Sequence, residues 1–302
     1  MKRFKLITGE VCNIEREAFE EKTRNAPPYV QSGKDGKVRQ FALCPACNNP
    51  IQLIGLYSKN LHTAPYGKHY NGDVKGIAKH NEQSYWFCPY ASHNYSAKSI
   101  DDRKPTFTSF EAEIYKTLRD NFDLAIYILK QDTGIYIGPG MARKLLENYI
   151  ASEAWMYSFA TIYNLPWMLI FTSLTFPLYG KLVRRDSSIY RDLEKDKRID
   201  FVKHNDRYFE IRTKEFVSLN YRFLKHKRSV VNDEVVENFE ATVDEDISKN
   251  GNGPMWKVLS KEKIEINEHR FPNLICSPGR EKYRDKGLLE IAEELMPEIP
   301  EE

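Results

Sequence analysis

Three of the chain's five cysteines and four of its seven histidines fall between residues 44 and 93. In LCPACN, Cys44 and Cys47 stand two residues apart, close enough for both thiolates to meet one ion. Pro45 fixes the backbone between them, and Asn48 can take the left-handed conformation such a tight turn needs. In WFCPYASH, Cys88 and His93 are separated by four residues, and a proline, Pro89, again follows the cysteine. Zinc suits sulfur and nitrogen donors because it is borderline soft and takes four ligands tetrahedrally. The expected set is Cys44, Cys47, Cys88 and His93. Four protein ligands close the coordination sphere, so the ion would be structural rather than catalytic. His62, His69 and His80 lie on the connecting stretch, and any of them could replace His93. His62 and His69, flanking TAPYGK, could instead form a polar site of their own.

Each half resembles a zinc knuckle of the kind found in zinc ribbons and treble clefs. The resemblance covers residues 44–93 and implies only a small metal-held module. His80 with Asn81, and His93 with Asn94, are similar to residues of HNH-type nucleases, whose core is often held by a zinc of this kind. No His-His or Asp-His pair occurs on a first strand, so the general base that would activate water is missing.

A second constellation lies in RIDFVKHNDRYFEIRTK. Restriction-type nucleases carry an Asp and then Glu-x-Lys on the next strand to hold magnesium. Here Asp200 or Asp206 would be the first acid and Glu210-Ile211-Arg212 the second motif, with Arg in place of the lysine. Arg cannot give up its proton and is not equivalent. Charged residues alternating along the exposed face of a strand produce the same string.

Charge is unevenly distributed although the chain carries a formal net charge of only +2. Residues 181–228 hold 15 Lys and Arg against 8 Asp and Glu, whereas residues 232–246 hold seven acids and no base. Arg184, Arg185, Lys225, Lys227 and Arg228 are the candidate phosphate contacts, with Tyr190, Tyr208, Tyr221 and Phe223 interleaved for stacking. The competing reading is a pair of acidic and basic strands that neutralise each other. Phosphate-cradling glycine loops and the common hydrolase motifs are absent.

The elements that must position these residues follow from texture. Residues 1–103 alternate short apolar runs (RQFALC, IQLIGLY, SYWFC) with turn formers, the pattern of short strands and loops. Ser58 to Gln83 reads as a long polar loop. Thr108 and Glu111 have capping-box spacing, and Phe110, Ile114, Leu118, Phe122 and Ile126 recur on one helical face. Gly138-Pro139-Gly140 turns into a second helix ending near Asn164 and Pro166, with WMLIFTSL beyond. RIDFV, RYFEIRT, FVSLNYRFL and ENFEATV read as antiparallel strands, residues 249–254 as a loop, and LLEIAEELM as an amphipathic terminal helix. The expected fold is therefore α+β: a zinc-bound module (1–103), a helical core (104–199) and a β-rich part with a C-terminal helix (200–302).

The stretch Ala154–Gly180 carries no charge and is long enough to span a bilayer. Asn164, Pro166, Pro177 and scattered Ser and Thr favour a buried core instead, with Trp155, Trp167 and Met168 as fillers. A charged N-terminal stretch and an odd cysteine count point to a cytoplasmic protein without disulfides. The functional expectation is a non-enzymatic, zinc-stabilised soluble protein that binds nucleic acid or a nucleoprotein partner. A metal-dependent nuclease, HNH-like or restriction-type, is the first alternative. The second is a protein-interaction subunit of a larger complex that meets its partner through the uncharged aromatic stretch.

Overall fold

The computed structural model describes residues 1–33, 35–58, 64–93, 101–173, 175–248 and 255–299. Helices make up 32 % and antiparallel strands 29 % of the described residues, so the class is α+β.

The N-terminal part is built on β1 (Arg3–Lys5), β2 (Val11–Asn13), α1 (Arg16–Thr23), β3 (Val30–Ser32), β4 (Val38–Leu43), β5 (Pro50–Ile54), β6 (Tyr66–His69) and α2 (Glu82–Trp86). The strands form one antiparallel sheet in the order β2-β1-β4-β5-β6, with β3 also on β4. The backbone of Met1 exchanges hydrogen bonds with Gly67 on β6, so the sheet curls until its first strand meets its last. A side chain at Gly67 would run into Met1, Ile14 and Ile51 at about 3 Å, which is why glycine stands at this closure. The long polar loop expected from Ser58 to Gln83 therefore contains a strand. Its inward positions are Gly67 and His69, so no apolar alternation marks it.

The helical layer comprises α3 (Ser109–Asp120), α4 (Phe122–Thr133), α5 (Pro139–Ala151) and α6 (Leu165–Phe171). Thr108 and Glu111 form the anticipated capping box, and Phe110, Ile114, Leu118, Phe122 and Ile126 are all buried. The second helix ends at Ala151, earlier than its sequence suggested. Beyond it the chain makes a short 3-10 turn (Ala154–Met156) and an irregular run, in which Asn164 donates to Phe159 O and to Glu237. Trp167 and Met168 are fully buried and Trp155 partly so. No helix among the described residues is long and apolar enough to cross a membrane.

The C-terminal part contains β7 (Phe176–Pro177), β8 (Leu182–Arg184), α7 (Ser188–Leu193), β9 (Ile199–Lys203), β10 (Tyr208–Thr213), β11 (Leu219–Val231), β12 (Glu234–Asp246), β13 (Trp256–Ile266), α8 (Arg270–Cys276) and α9 (Lys286–Leu295). Two antiparallel sheets run β8-β10-β9 and β13-β12-β11-β7. Asn232 and Asp233, both at positive φ, make the two-residue turn that joins β11 to β12. Leu219, Tyr221 and Phe223 alternate inward on β11 against Phe239, Ala241 and Val243 on β12. The register then shifts between Leu224 and Lys227, with Lys225 in the left-handed region. Helix α9 packs on α3, α4 and α5, and a single buried cluster takes residues from all three thirds of the chain.

Candidate metal centre

The antiparallel strands β4 and β5 are joined by residues 44–49, which carry the first two thiols. Cys44 N–H donates to Asn49 O at 2.8 Å and Asn48 N–H to Cys44 O at 3.0 Å, closing a tight turn. Asn48 takes φ 57°, the left-handed conformation anticipated for it. On β6, His69 lies directly opposite Ile51 of β5. Opposed residues in an antiparallel pair share a face, and Ile51 is fully buried, so the imidazole is directed inward. Helix α2, capped by the Asn81 side chain on Ser84 N, delivers Cys88 just past its end, where Cys88 N–H donates to Tyr85 O.

These elements bring Cys44, Cys47, His69 and Cys88 together, with one donor atom from each lying within 4.8 Å of the others. Cys47 Sγ is 3.3 Å and Cys88 Sγ 3.7 Å from His69 Nε2, while Cys44 and Cys88 sulfurs are 3.7 Å apart. This group could hold a metal ion. All three cysteines are buried, and they belong to the main hydrophobic cluster.

The structure thus assembles three of the four anticipated ligands and replaces His93 with His69. His93 Nε2 is hydrogen-bonded to Trp86 O at 2.7 Å, and its ring lies 4.1 Å from the Trp86 indole. The two-knuckle spacing suggested a ligand from the second half, but the turn after Cys88 leaves His93 beside Trp86 outside the thiol group. The available signal was the alternation in YGKHY, where Tyr66, Lys68 and Tyr70 face one way and Gly67 and His69 the other. His80 packs near Tyr85, its backbone tied to Asp73, and His62 lies outside the described residues.

A second ring of contacts orients the donors. Asn49, almost fully buried, donates through Nδ2 to Cys47 Sγ at 3.4 Å, Ser84 Oγ at 2.8 Å and Asn81 O at 3.0 Å. Its Oδ1 accepts from Asn81 N–H at 2.7 Å, so one amide ties the two halves together. The Tyr85 ring packs edge-on to His69 at 4.9 Å. Burial works against ionising Cys47, but hydrogen bonds with the Cys44 and Cys88 thiols and with Asn49 outweigh it and hold its thiol well below the ordinary value. Burial, reinforced by the two neighbouring thiols, pushes Cys88 well above it.

The module is fastened to the C-terminal sheet. Arg228 on β11 donates to Phe87 O at 2.9 Å and to Phe159 O at 3.3 Å, and its guanidinium lies 3.8 Å from the Phe159 ring centroid. Tyr90 donates to Glu268 and accepts from Val235 N–H. Arg228 is therefore largely occupied within the fold. Among the other anticipated phosphate contacts, Arg184 bonds Asp186 and Gln131, and Lys225 bonds Glu240. Arg185 lies over the Phe209 ring at 5.9 Å, and Lys227 is exposed. The basic strand β11 pairs directly with the acidic β12, and Arg222–Asp244 and Lys225–Glu240–Lys261 contacts cross the sheet.

The acids of the restriction-type pattern lie against basic residues. Asp200 stands opposite Arg212, Glu210 forms an ion pair with Arg212 at 2.6 Å, and Asp206 pairs with Lys203 at 2.7 Å. Asn81, the HNH-like asparagine after His80, is committed to capping α2 and bonding Asn49, while Asn94 lies outside the described residues. Among the described residues, Cys44, Cys47, His69 and Cys88 form the only such group of metal-capable donors. No family model matches the chain, and neither does any curated protein or solved structure.

Proposed function

We propose that the chain is a non-enzymatic protein, held together by a structural zinc ion, that binds nucleic acid or a nucleoprotein partner. The observation that carries the reading is the closed donor set of three buried thiols and one half-buried imidazole. Zinc at about 2.3 Å from each sulfur in a tetrahedron separates the sulfurs by about 3.8 Å, close to the 3.7 Å between Cys44 and Cys88. The soft donors select zinc over magnesium or calcium. Four protein ligands leave no position for substrate, so the ion staples β4, β5, β6 and α2 instead of activating water.

Nucleic acid is favoured as the partner by cationic side chains left over after the internal pairs are counted. Arg185 and Lys227 are exposed and have no carboxylate partner among the described residues. A nuclease reading lacks, among those residues, a second group of three or more metal-capable donors, and the aromatic stretch of the interaction-subunit reading is largely buried.

The test is metal analysis of protein purified without added metal, together with oligonucleotide binding and cleavage at two salt concentrations. One zinc per chain, lost in a Cys44→Ser/Cys88→Ser variant, with salt-dependent binding and no cleavage, is the expected result. Metal-free, well-folded protein would overturn the staple, and magnesium-dependent cleavage would overturn the non-enzymatic assignment.

A further inference from the structure

The strand that supplies His69 has an opposite side. Alternation on β6 directs Gly67 and His69 inward and Tyr66, Lys68 and Tyr70 outward. Ile54 lies opposite Tyr66 and Gln52 opposite Lys68, and Phe41 of β4 lies opposite Gln52. Residues facing each other across these strands share a side, so Gln52, Ile54, Tyr66, Lys68 and Tyr70 form one surface, with Phe41 buried beside it under Val74 and Ile77. Tyr66 and Tyr70 are 38 % and 39 % exposed, which leaves much of each ring open to solvent. They sit about 13 Å apart along the strand with Lys68 between them. The Phe41 ring supports Tyr70 from below at 5.3 Å, edge to face.

The charge around this surface is predominantly positive. Residues 38–54 and 64–80 contain Arg39, Lys68, Lys75 and Lys79 against the single acid Asp73. Arg39 is held by Asp35, but Lys68, Lys75 and Lys79 are exposed with no carboxylate partner among the described residues. Val74 and Ile77 pack on Phe41 and Leu43 of this same side, which places Lys75 and Lys79 at its border. Aromatic rings spaced along a strand and interleaved with lysines offer stacking for unpaired bases and neutralisation for phosphates. A duplex hides its base faces and would gain only the charge.

We infer that the outer side of β5 and β6 is a docking platform for single-stranded nucleic acid, centred on Tyr66, Lys68 and Tyr70. The inference rests on the nucleic-acid reading above and moves its contacts from the C-terminal basic stretch to the back of the metal module. The metal then has a purpose beyond stability, because His69 pins the strand whose other side carries the platform.

The experiment is fluorescence anisotropy with a short labelled oligonucleotide, single-stranded RNA, single-stranded DNA and duplex, using the full chain. Tyr66→Ala is expected to weaken single-strand binding about 10-fold, within the range for losing one stacked base. Tyr66→Phe should keep wild-type affinity, which separates lost stacking from lost folding. Lys68→Ala should reduce the slope of log affinity against log salt by about 0.7. Wild-type binding that survives Tyr66→Ala and Lys68→Ala but falls in Arg185→Ala/Lys227→Ala would overturn the platform and leave the nucleic-acid reading standing. Equal or tighter binding of duplex would also overturn the platform. No binding of any oligonucleotide by metal-loaded wild type would remove both.

Discussion

His69 and His93 compete for one role, and the structure separates them cleanly. The Nε2 atom of His69 lies 3.3 Å from one thiol and 3.7 Å from another, whereas His93 is bonded to the Trp86 carbonyl. A structural zinc site has an apparent binding free energy of about 10–16 kcal/mol, so one ligand in four accounts for about 3 kcal/mol. His69→Ala should therefore weaken zinc affinity about 100-fold, at 1.4 kcal/mol per decade. With free zinc at about 1,000 times the wild-type dissociation constant, the ion contributes about 4 kcal/mol to folding, and a 100-fold weaker site retains about 1.4. The variant should lose between 2 and 3 kcal/mol on that estimate, or a few degrees of melting temperature. His93→Ala loses one exposed hydrogen bond and a tilted ring contact with Trp86 and should keep zinc affinity within about twofold. The assay is competition against a chromophoric chelator, paired with thermal melts with and without chelator. A His93→Ala variant that sheds its metal while His69→Ala retains it would refute the assignment.

The remaining predictions concern groups around that centre. Asn49→Ala removes the donor to Cys47 and the link to Asn81, and should lower metal affinity about 10–100-fold with all four ligands intact; chelator competition reads this directly. Arg228→Lys keeps the charge but cannot reproduce contacts to two carbonyls and a ring, so it should cost about 2 kcal/mol in denaturant melts. That loss should come without a change in the salt slope of oligonucleotide binding. Lys104 is buried beside Glu111 at 3.0 Å, and burial pushes its amine down to about 8 against the partial pull of that carboxylate. From about pH 8 to 10.5 the unfolded chain then holds more protons than the folded one, so stability rises with pH across that window. The rise attributable to Lys104 is about 3 kcal/mol. It should vanish in Lys104→Met when melts of the two proteins are compared at the two ends, and an unchanged difference would contradict it.

Much of the architecture was legible because local physics fixed it. The Thr108–Glu111 box, the apolar recurrence through α3 and α4 and the alternation on β11 and β12 need only neighbours in sequence or across one turn. Other elements were hidden for identifiable reasons. β6 uses glycine and a candidate metal ligand as its inward residues, and β13 carries Lys257, Lys261 and Lys263 on exposed positions that mask its buried Ser260, Ile264 and Ile266. The helix thought to continue to Asn164 stops at Ala151, because the residues beyond it serve Glu237 and Lys104 through Asn164 and Ala160 O.

The sequence by itself determined that three thiols in two proline-marked halves would meet and that the chain would be α+β. Cysteine spacing and turn chemistry are properties of a few consecutive residues. Which histidine joined them was a tertiary decision, since it depended on β6 pairing with β5 in the register that sets His69 opposite Ile51. The fate of the basic stretch was tertiary too. Pairing β11 with β12 set cations against carboxylates, and the irregular run through Phe159 gave Arg228 an internal partner. Formal charge counts ions, but only the fold says which of them remain free to meet anything else.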